Sequence, residues 1–186
     1  KTQSSKNYFL SLLKRLIKSD NHILSSMKDN YKDSYSKKLI VDLKKYNNIN
    51  LIGMGGSSLG TKAIYNFLKP KKKFNFIDNF SNFTFIQKDK KNMNLIISKS
   101  GNTLETISNS NILFAKNKKN IFITENRESY LMSLANKLKA EVIHHNNFIG
   151  GRYSVFSEVG MLPSELMGFK PEKFRRLNQL LKNKKF

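Results

Sequence analysis

From Asn50 onward the chain alternates between two patterns, and that alternation constrains its fold more than any other feature of its 186 residues. Short apolar runs occur at Asn50–Met54, Phe74–Asp78, Leu95–Ser98, Ile121–Thr124 and Glu141–His144. Between them lie helical patterns at Thr61–Leu68, Thr103–Lys116 and Tyr130–Leu138. Strands separated by helices predict a parallel sheet with helices on both faces and right-handed crossovers. The segment 81–90 fits neither pattern clearly, and no internal repeat, low-complexity linker or heptad array interrupts the alternation.

The flanks read differently. Phe9, Leu12, Leu13, Leu16 and Ile17 recur at i, i+3, i+4, i+7 and i+8, which predicts an amphipathic helix facing a core. Residues 31–46 also read as helical, so the chain up to about Asn48 is expected to be helices that pack on something else. After the fifth run, Gly150-Gly151 precedes an apolar stretch, Tyr153–Gly168, expected to be helical with Pro163 in its first turn or at a kink. A last helix is expected over Pro171–Leu181, with Pro171 at its first position.

Composition narrows the function classes. The absence of cysteine excludes disulfides, thiol catalysis and thiolate metal sites together. No apolar run approaches the roughly 18 residues of a membrane helix. The stretch Tyr8–Ile17 is broken by Lys14 and Arg15 and makes a poor signal-peptide core. A cytoplasmic protein with no membrane partner is therefore expected. The formal charge of +21 raises a nucleic-acid reading. Against it, the basic residues are spread along the chain, few of them are Arg, and the runs Lys69–Lys73 and Lys88–Lys91 flank predicted loops. A solvated lysine-rich surface is the favoured reading, with no nucleic-acid partner. The first residue is Lys and the chain stops inside the charged stretch Lys182–Phe186, so a piece of a longer protein is expected.

Three motifs carry chemistry. The first, Gly53-Met54-Gly55-Gly56-Ser57-Ser58-Leu59-Gly60, follows a predicted strand and opens a predicted helix. Glycines allow a sharp turn and a close approach to a ligand, and the free N–H groups at a helix start favour an anion. It lacks the Lys-Ser/Thr ending of a phosphate loop of the nucleotide-binding type, and Ser58 stands where a dinucleotide fingerprint needs glycine. The competing reading is a tight turn without a ligand. The second motif, Ser98-Lys99-Ser100-Gly101-Asn102-Thr103-Leu104-Glu105-Thr106, again joins a strand to a helix. A capping box from Asn102 and Glu105 would explain those two residues. It would not explain three hydroxyls and a lysine at a helix start, a set suited to a phosphate dianion. With strand order 2-1-3-4-5, both loops leave the sheet where its order reverses, the position at which open α/β sheets bind ligands.

The third motif, Gly150-Gly151-Arg152-Tyr153-Ser154, places an arginine in a restricted turn. A permanently charged fork of donors there suits an oxyanion that develops during reaction. The competing reading is a surface arginine beside a turn. His144 and His145 end the fifth run, where one must face in and the other out. With His22 they offer no metal spacing.

Together the motifs resemble the glucose-6-phosphate isomerase family, and specifically its N-terminal sugar-isomerase (SIS) domain. The similarity covers about residues 50–169, and Gly150-Gly151-Arg152-Tyr153-Ser154-Val155-Phe156-Ser157 is its most specific part. The resemblance implies a flavodoxin-like α/β fold, a five-stranded parallel sheet of order 2-1-3-4-5 with helices on both faces. It implies an N-terminal helical segment over 1–48, the SIS domain over 49–169, and the start of a connection to a further C-terminal part over 170–186. It implies interconversion of glucose 6-phosphate and fructose 6-phosphate in glycolysis and gluconeogenesis, through a cis-enediol, by a homodimer without metal or cofactor. Matched motif by motif, Gly56, Ser57, Ser98, Lys99, Ser100 and Thr103 would hold the substrate phosphate and Arg152 would stabilise the enediol. The family's base glutamate, ring-opening histidine and active-site lysine come after this signature. Glu158 and Glu165 do not match the base, and His144 and His145 do not match the histidine. The alternative is a non-catalytic SIS-type sugar-phosphate-binding module, which would not need the arginine.

Overall fold

The computed structural model describes residues 2–19, 21–80, 92–113 and 119–176. The ambiguous segment 81–90, the lysine run 88–91 and the expected ends of two helices, beyond 113 and beyond 176, lie outside the described residues. Five strands form a single sheet of order β2-β1-β3-β4-β5. They are β1 (Asn48–Ile52), β2 (Lys73–Ile77), β3 (Asn92–Ile97), β4 (Lys119–Thr124) and β5 (Glu141–His144). Every pairing is parallel. The chain order reverses between β1 and β3, as the family resemblance implies.

The strands read as continuous apolar runs because both faces are covered. On one face Ile49, Leu51, Leu95, Ile97, Ile121 and Ile123 pack against α3 (Lys37–Lys44) and α7 (Glu158–Leu166). On the other, Ile52, Ile77, Ile96 and Phe122 pack with Leu113 of α5 (Leu104–Leu113) and with Leu131 and Ala135 of α6 (Tyr130–Lys137). A polar row also crosses this second face. Asn50, Asn75, Asn94 and Asn120 stand in register on β1, β2, β3 and β4. Their amides join head to tail: Asn75 donates to Asn50, Asn50 to Asn94 and Asn94 to Asn120, each at 2.9 Å. Buried amides are tolerated when they satisfy one another, and this register lets them do so.

Outside the sheet, expectation and structure part in places. The segment 31–46 is helical only over α3; the turn before it ends at Ser36, whose hydroxyl caps the helix by accepting from Leu39 N. The N-terminal pattern does form a helix, α1 (Thr2–Lys18), but its stripe does not face a core. Phe9, Leu12, Leu13 and Leu16 are 67%, 38%, 41% and 49% exposed. Periodicity specifies an apolar face and leaves open which body covers it. The stretch after Gly150 begins as a 3₁₀ turn (Gly151–Phe156) and becomes α-helical only at Glu158. Pro163 lies inside α7, where its missing N–H leaves the Val159 carbonyl without a helical partner. Thr61 of α4 (Leu59–Leu68) donates its hydroxyl to that carbonyl at 3.4 Å.

The N-terminal turns are fastened by one buried side chain. Arg175, on α8 (Pro171–Arg175), donates to Ser26 O at the end of α2 (His22–Ser26), to Tyr31 O and to Phe156 O. It pairs with Asp33 at 2.7 Å and lies over the Tyr31 ring. Burial pushes the Asp33 carboxyl up while the Arg175 guanidinium opposes it. Burial also raises the Tyr31 phenol to about 12.

Candidate functional site

The three motifs meet at the carboxyl end of the sheet. β1 and β3 are hydrogen-bonded neighbours with Ile52 beside Ile96, so the first two loops leave the sheet about 5 Å apart. In the first loop a 3₁₀ turn (Gly55–Ser57) leads into α4. Ser57 and Ser58 are buried there. The third motif lies directly on this turn. A Cβ on Gly56 would overlap the Gly151 carbonyl group and come within 2.7 Å of Arg152 N, so only glycine lets the two backbones touch. Ser154 stitches the contact, donating to Gly151 O at 2.6 Å and leaning toward Gly56 O at 3.4 Å. Arg152 is thereby fixed through its main chain beside the first loop. Its side chain is exposed and has no hydrogen-bond or ion-pair partner among the described residues.

The second loop is built on its own hydroxyls. Ser98 Oγ and Thr103 Oγ1 are 2.9 Å apart, and Ser100 Oγ is 3.5 Å from the same threonine. Ser98 accepts from Gly101 N and Ser100 from Asn102 N. Gly101 has φ +68°, where a side chain would be strained and would run into Ser129. The Lys99 and Ser100 N–H groups have no hydrogen-bond partner among the described residues.

One expectation for this loop is corrected. Asn102 does not cap α5, which begins at Leu104; its carboxamide oxygen accepts from Tyr130 N, the first residue of α6. Leu131 N donates to Gly101 O, and Ser129 caps Met132 N. The orphan N–H groups of α6 therefore hold the second loop, a long-range use of Asn102 that local spacing does not show.

Lys99 points away from the hydroxyls. Its ammonium is 2.7 Å from Asn147 O and 3.3 Å from Glu125 Oε1. The two histidines divide as expected: His144 is exposed and His145 is fully buried. His145 Nδ1 is 3.1 Å from Asn146 O and 3.8 Å from Glu158 Oε1, and Nε2 has no partner among the described residues. Burial lowers the His145 pKa and raises that of Glu158. Glu158 accepts from Asn146 N at 2.8 Å. Glu165 accepts from the Tyr35 hydroxyl at 3.2 Å. Neither glutamate is a free carboxylate beside Arg152. No cluster able to hold a metal ion occurs among the described residues.

Sequence reasoning missed Arg175, Glu125 and the asparagine row. Arg175 carried one usable signal, being one of only five arginines in a chain that mostly uses lysine.

The chain shares its α/β fold with solved structures. It superimposes on a hypothetical protein from Thermus thermophilus with a TM-score of 0.69 and 22% identity, over 91% of this chain and 46% of that one. It superimposes on tagatose-6-phosphate ketose/aldose isomerase from Escherichia coli with a TM-score of 0.56 and 14% identity, over 78% and 46%. The family is narrower than the fold. The phosphoglucose isomerase family model matches residues 15–183, and the chain belongs to that family. Glucose-6-phosphate isomerase of Methanocaldococcus jannaschii is 32% identical over 178 residues, 87% of this chain and 42% of the relative. That of Borrelia garinii subsp. bavariensis is 36% identical over 141 residues, 65% and 27%. The chain thus spans less than half the length of these relatives.

Proposed function

We propose that the chain contributes the phosphate site and the enediol-stabilising arginine of a glucose-6-phosphate isomerase, acting on glucose 6-phosphate and fructose 6-phosphate. The observation that carries the reading is the backbone contact of Gly56 with Gly151 and Arg152. It sets an arginine whose side chain has no partner among the described residues beside the loops that leave the sheet at its switch point. Gly56, Ser57, Ser98, Ser100 and Thr103 would surround the phosphate with N–H and hydroxyl donors, Lys99 adding its main-chain N–H. These groups bind a part of the substrate that does not react, so they anchor ground and transition states alike.

The reaction moves a proton between adjacent carbons and passes through a cis-enediol. Arg152 would donate to the oxygen on which charge develops, and a pre-placed donor of this kind is typically worth about 10²–10³ in rate. The base must be a carboxylate or similar group within hydrogen-bond reach of that carbon. Glu158 and Glu165 are engaged with Asn146 N and Tyr35, and the family resemblance puts the base, the ring-opening histidine and the lysine in sequence after the arginine signature, beyond this chain. In this proposal residues 49–169 form the sugar-phosphate domain, and the complete enzyme is a cytoplasmic homodimer of sugar metabolism.

The test is NMR titration of the chain with fructose 6-phosphate. Shifts at Ser57, Ser98–Thr103 and Arg152, without interconversion, are expected. Binding elsewhere would remove the phosphate assignment. Turnover well above the uncatalysed rate would place the whole catalytic set within these residues.

A further inference from the structure

The lysine of the second loop sits where a phosphate ligand would be sought, yet its ammonium is already engaged. Lys99 Nζ donates to Asn147 O at 2.7 Å and faces the Glu125 carboxylate at 3.3 Å. Glu125 is nearly buried and is held from its other oxygen by Arg127 at 2.9 Å. The main chain doubles the link, because Glu125 N donates to Lys99 O at 3.1 Å. Lys99 is thus clamped at both ends to the residue that follows β4.

Asn147 belongs to the turn that leads from β5 to Arg152. That turn is fixed at each step: His145 N donates to Thr124 O, Asn146 N to Glu158, and Phe148 N and Ile149 N to the Asn146 side chain and carbonyl. Its only described cationic contact is Lys99. Beyond it, Gly150-Gly151 rests on Gly56 of the first loop. The path from Ser98 through Lys99, Asn147 and Arg152 to Gly56 is therefore a continuous run of chain and contacts joining all three motifs.

We infer that Lys99 is a positioning residue: its side chain fastens the Asn146–Arg152 segment to the second loop and does not itself grip the phosphate. The inference rests on the proposed phosphate site for what the loops do, while the strut itself rests on geometry alone. A lysine already bonded to a carbonyl and paired with a nearly buried glutamate must give up those contacts to reach a phosphate. One bonded to a carbonyl across two loops determines where those loops stand.

The two roles predict opposite responses to Glu125→Gln. A strut loses part of its anchor, so phosphate binding weakens. A ligand lysine is released from its counter-charge, so phosphate binding strengthens. The experiment compares the chain with Lys99→Met, Lys99→Arg and Glu125→Gln by hydrogen exchange in the absence of ligand, and by NMR titration with inorganic phosphate and with fructose 6-phosphate.

The expected result is faster exchange at 146–152 in Lys99→Met, by about ten- to a hundredfold, the range of one charge-assisted hydrogen bond. Exchange in the core strands should stay unchanged, Lys99→Arg should restore slow exchange, and Glu125→Gln should weaken both ligands. Unchanged exchange at 146–152 in Lys99→Met, or tighter phosphate binding in Glu125→Gln, would overturn the inference. Faster local exchange in a chain that binds neither ligand would keep the strut and refute the proposed phosphate site.

Discussion

Replacing Asn94 by Leu should destabilise the sheet although it makes the interior more apolar. Asn94 is 1% exposed at the centre of β3 and joins two neighbouring strands. Its carboxamide accepts from Asn50 at 2.9 Å and donates to Asn120 at 2.9 Å and to Leu113 O at 3.3 Å. Leucine removes all three contacts and leaves the fully buried Asn50 amide without its acceptor. Losing a buried partner costs about 1–3 kcal/mol per group. The two short bonds therefore cost about 2–6 kcal/mol, against about 1.5–3 gained from burying an apolar side chain. A net loss of about 2 kcal/mol is expected, a large share of the roughly 5–15 that holds a domain together. With a urea slope of about 1–3 kcal/mol/M, the unfolding midpoint should fall by about 1 M with the slope unchanged.

The reasoning makes a stronger claim about pairs. Asn50→Leu added to Asn94→Leu removes the fully buried orphan and leaves only the half-buried Asn75 amide without its acceptor, so the double variant should lose less than the sum of the singles, by about 1 kcal/mol or more. The assay is urea denaturation followed by circular dichroism for both singles and the double. An unchanged midpoint in Asn94→Leu, or strict additivity in the cycle, would show that the amides do not act as a mutually satisfied row.

Other predictions concern the site. In the complete enzyme, Arg152→Lys should lower kcat by about 10²-fold with little change in KM, because lysine keeps the charge and loses the fork; steady-state kinetics decides, and full activity would make Arg152 structural. Ser100→Ala or Thr103→Ala should raise KM with kcat nearly unchanged, since in the proposed site both would touch a non-reacting group; a fall in kcat alone would contradict the assignment. His145 is held neutral by burial, its pKa lowered below the ordinary 6.5, so the unfolded chain binds the extra proton first. The stability it contributes is present above about pH 6.5 and is lost as pH falls through that value toward its folded pKa. Denaturant midpoints of His145→Gln should therefore fall less than those of the native chain between about pH 7 and 5, and parallel curves would refute the buried neutral histidine.

What was legible in the sequence followed from elements that depend on nearest neighbours. Five parallel strands follow from apolar runs alternating with helical patterns, because a strand buried on both faces needs little beyond continuous hydrophobicity, whereas their order comes from the family resemblance. The loops were visible for a similar reason: Gly53–Gly60, Ser98–Thr103 and Gly150–Ser154 are local concentrations of glycine and hydroxyls at strand ends. The asparagine row was in plain view too, with one Asn in or beside four of the five runs. Only the register shows that Asn50, Asn75, Asn94 and Asn120 stand side by side, and register is a property of strand pairs.

The contacts that local spacing does not show share that cause. Asn102 spaced three residues from Glu105 satisfies a local rule, yet its partner is Tyr130 N, brought near by the crossing of β4 and α6. Lys99 among three hydroxyls reads locally as a phosphate clamp, while its contacts lie at Glu125 and Asn147. Phe9 and Leu12 have the spacing of a core helix and remain exposed, since spacing cannot name the surface that would cover them. In each case the residue type was informative and the partner was not, because a short polar or charged side chain has several physically adequate partners and the tertiary path selects among them. Arg175 is the extreme example: three of its four hydrogen bonds reach Ser26, Tyr31 and Asp33, at the other end of the chain, and the fourth reaches Phe156. Motif reading is therefore strongest where the backbone itself makes the contact, as Gly56 does with Gly151. There the glycines needed for close approach can be seen in the sequence before their neighbour is known.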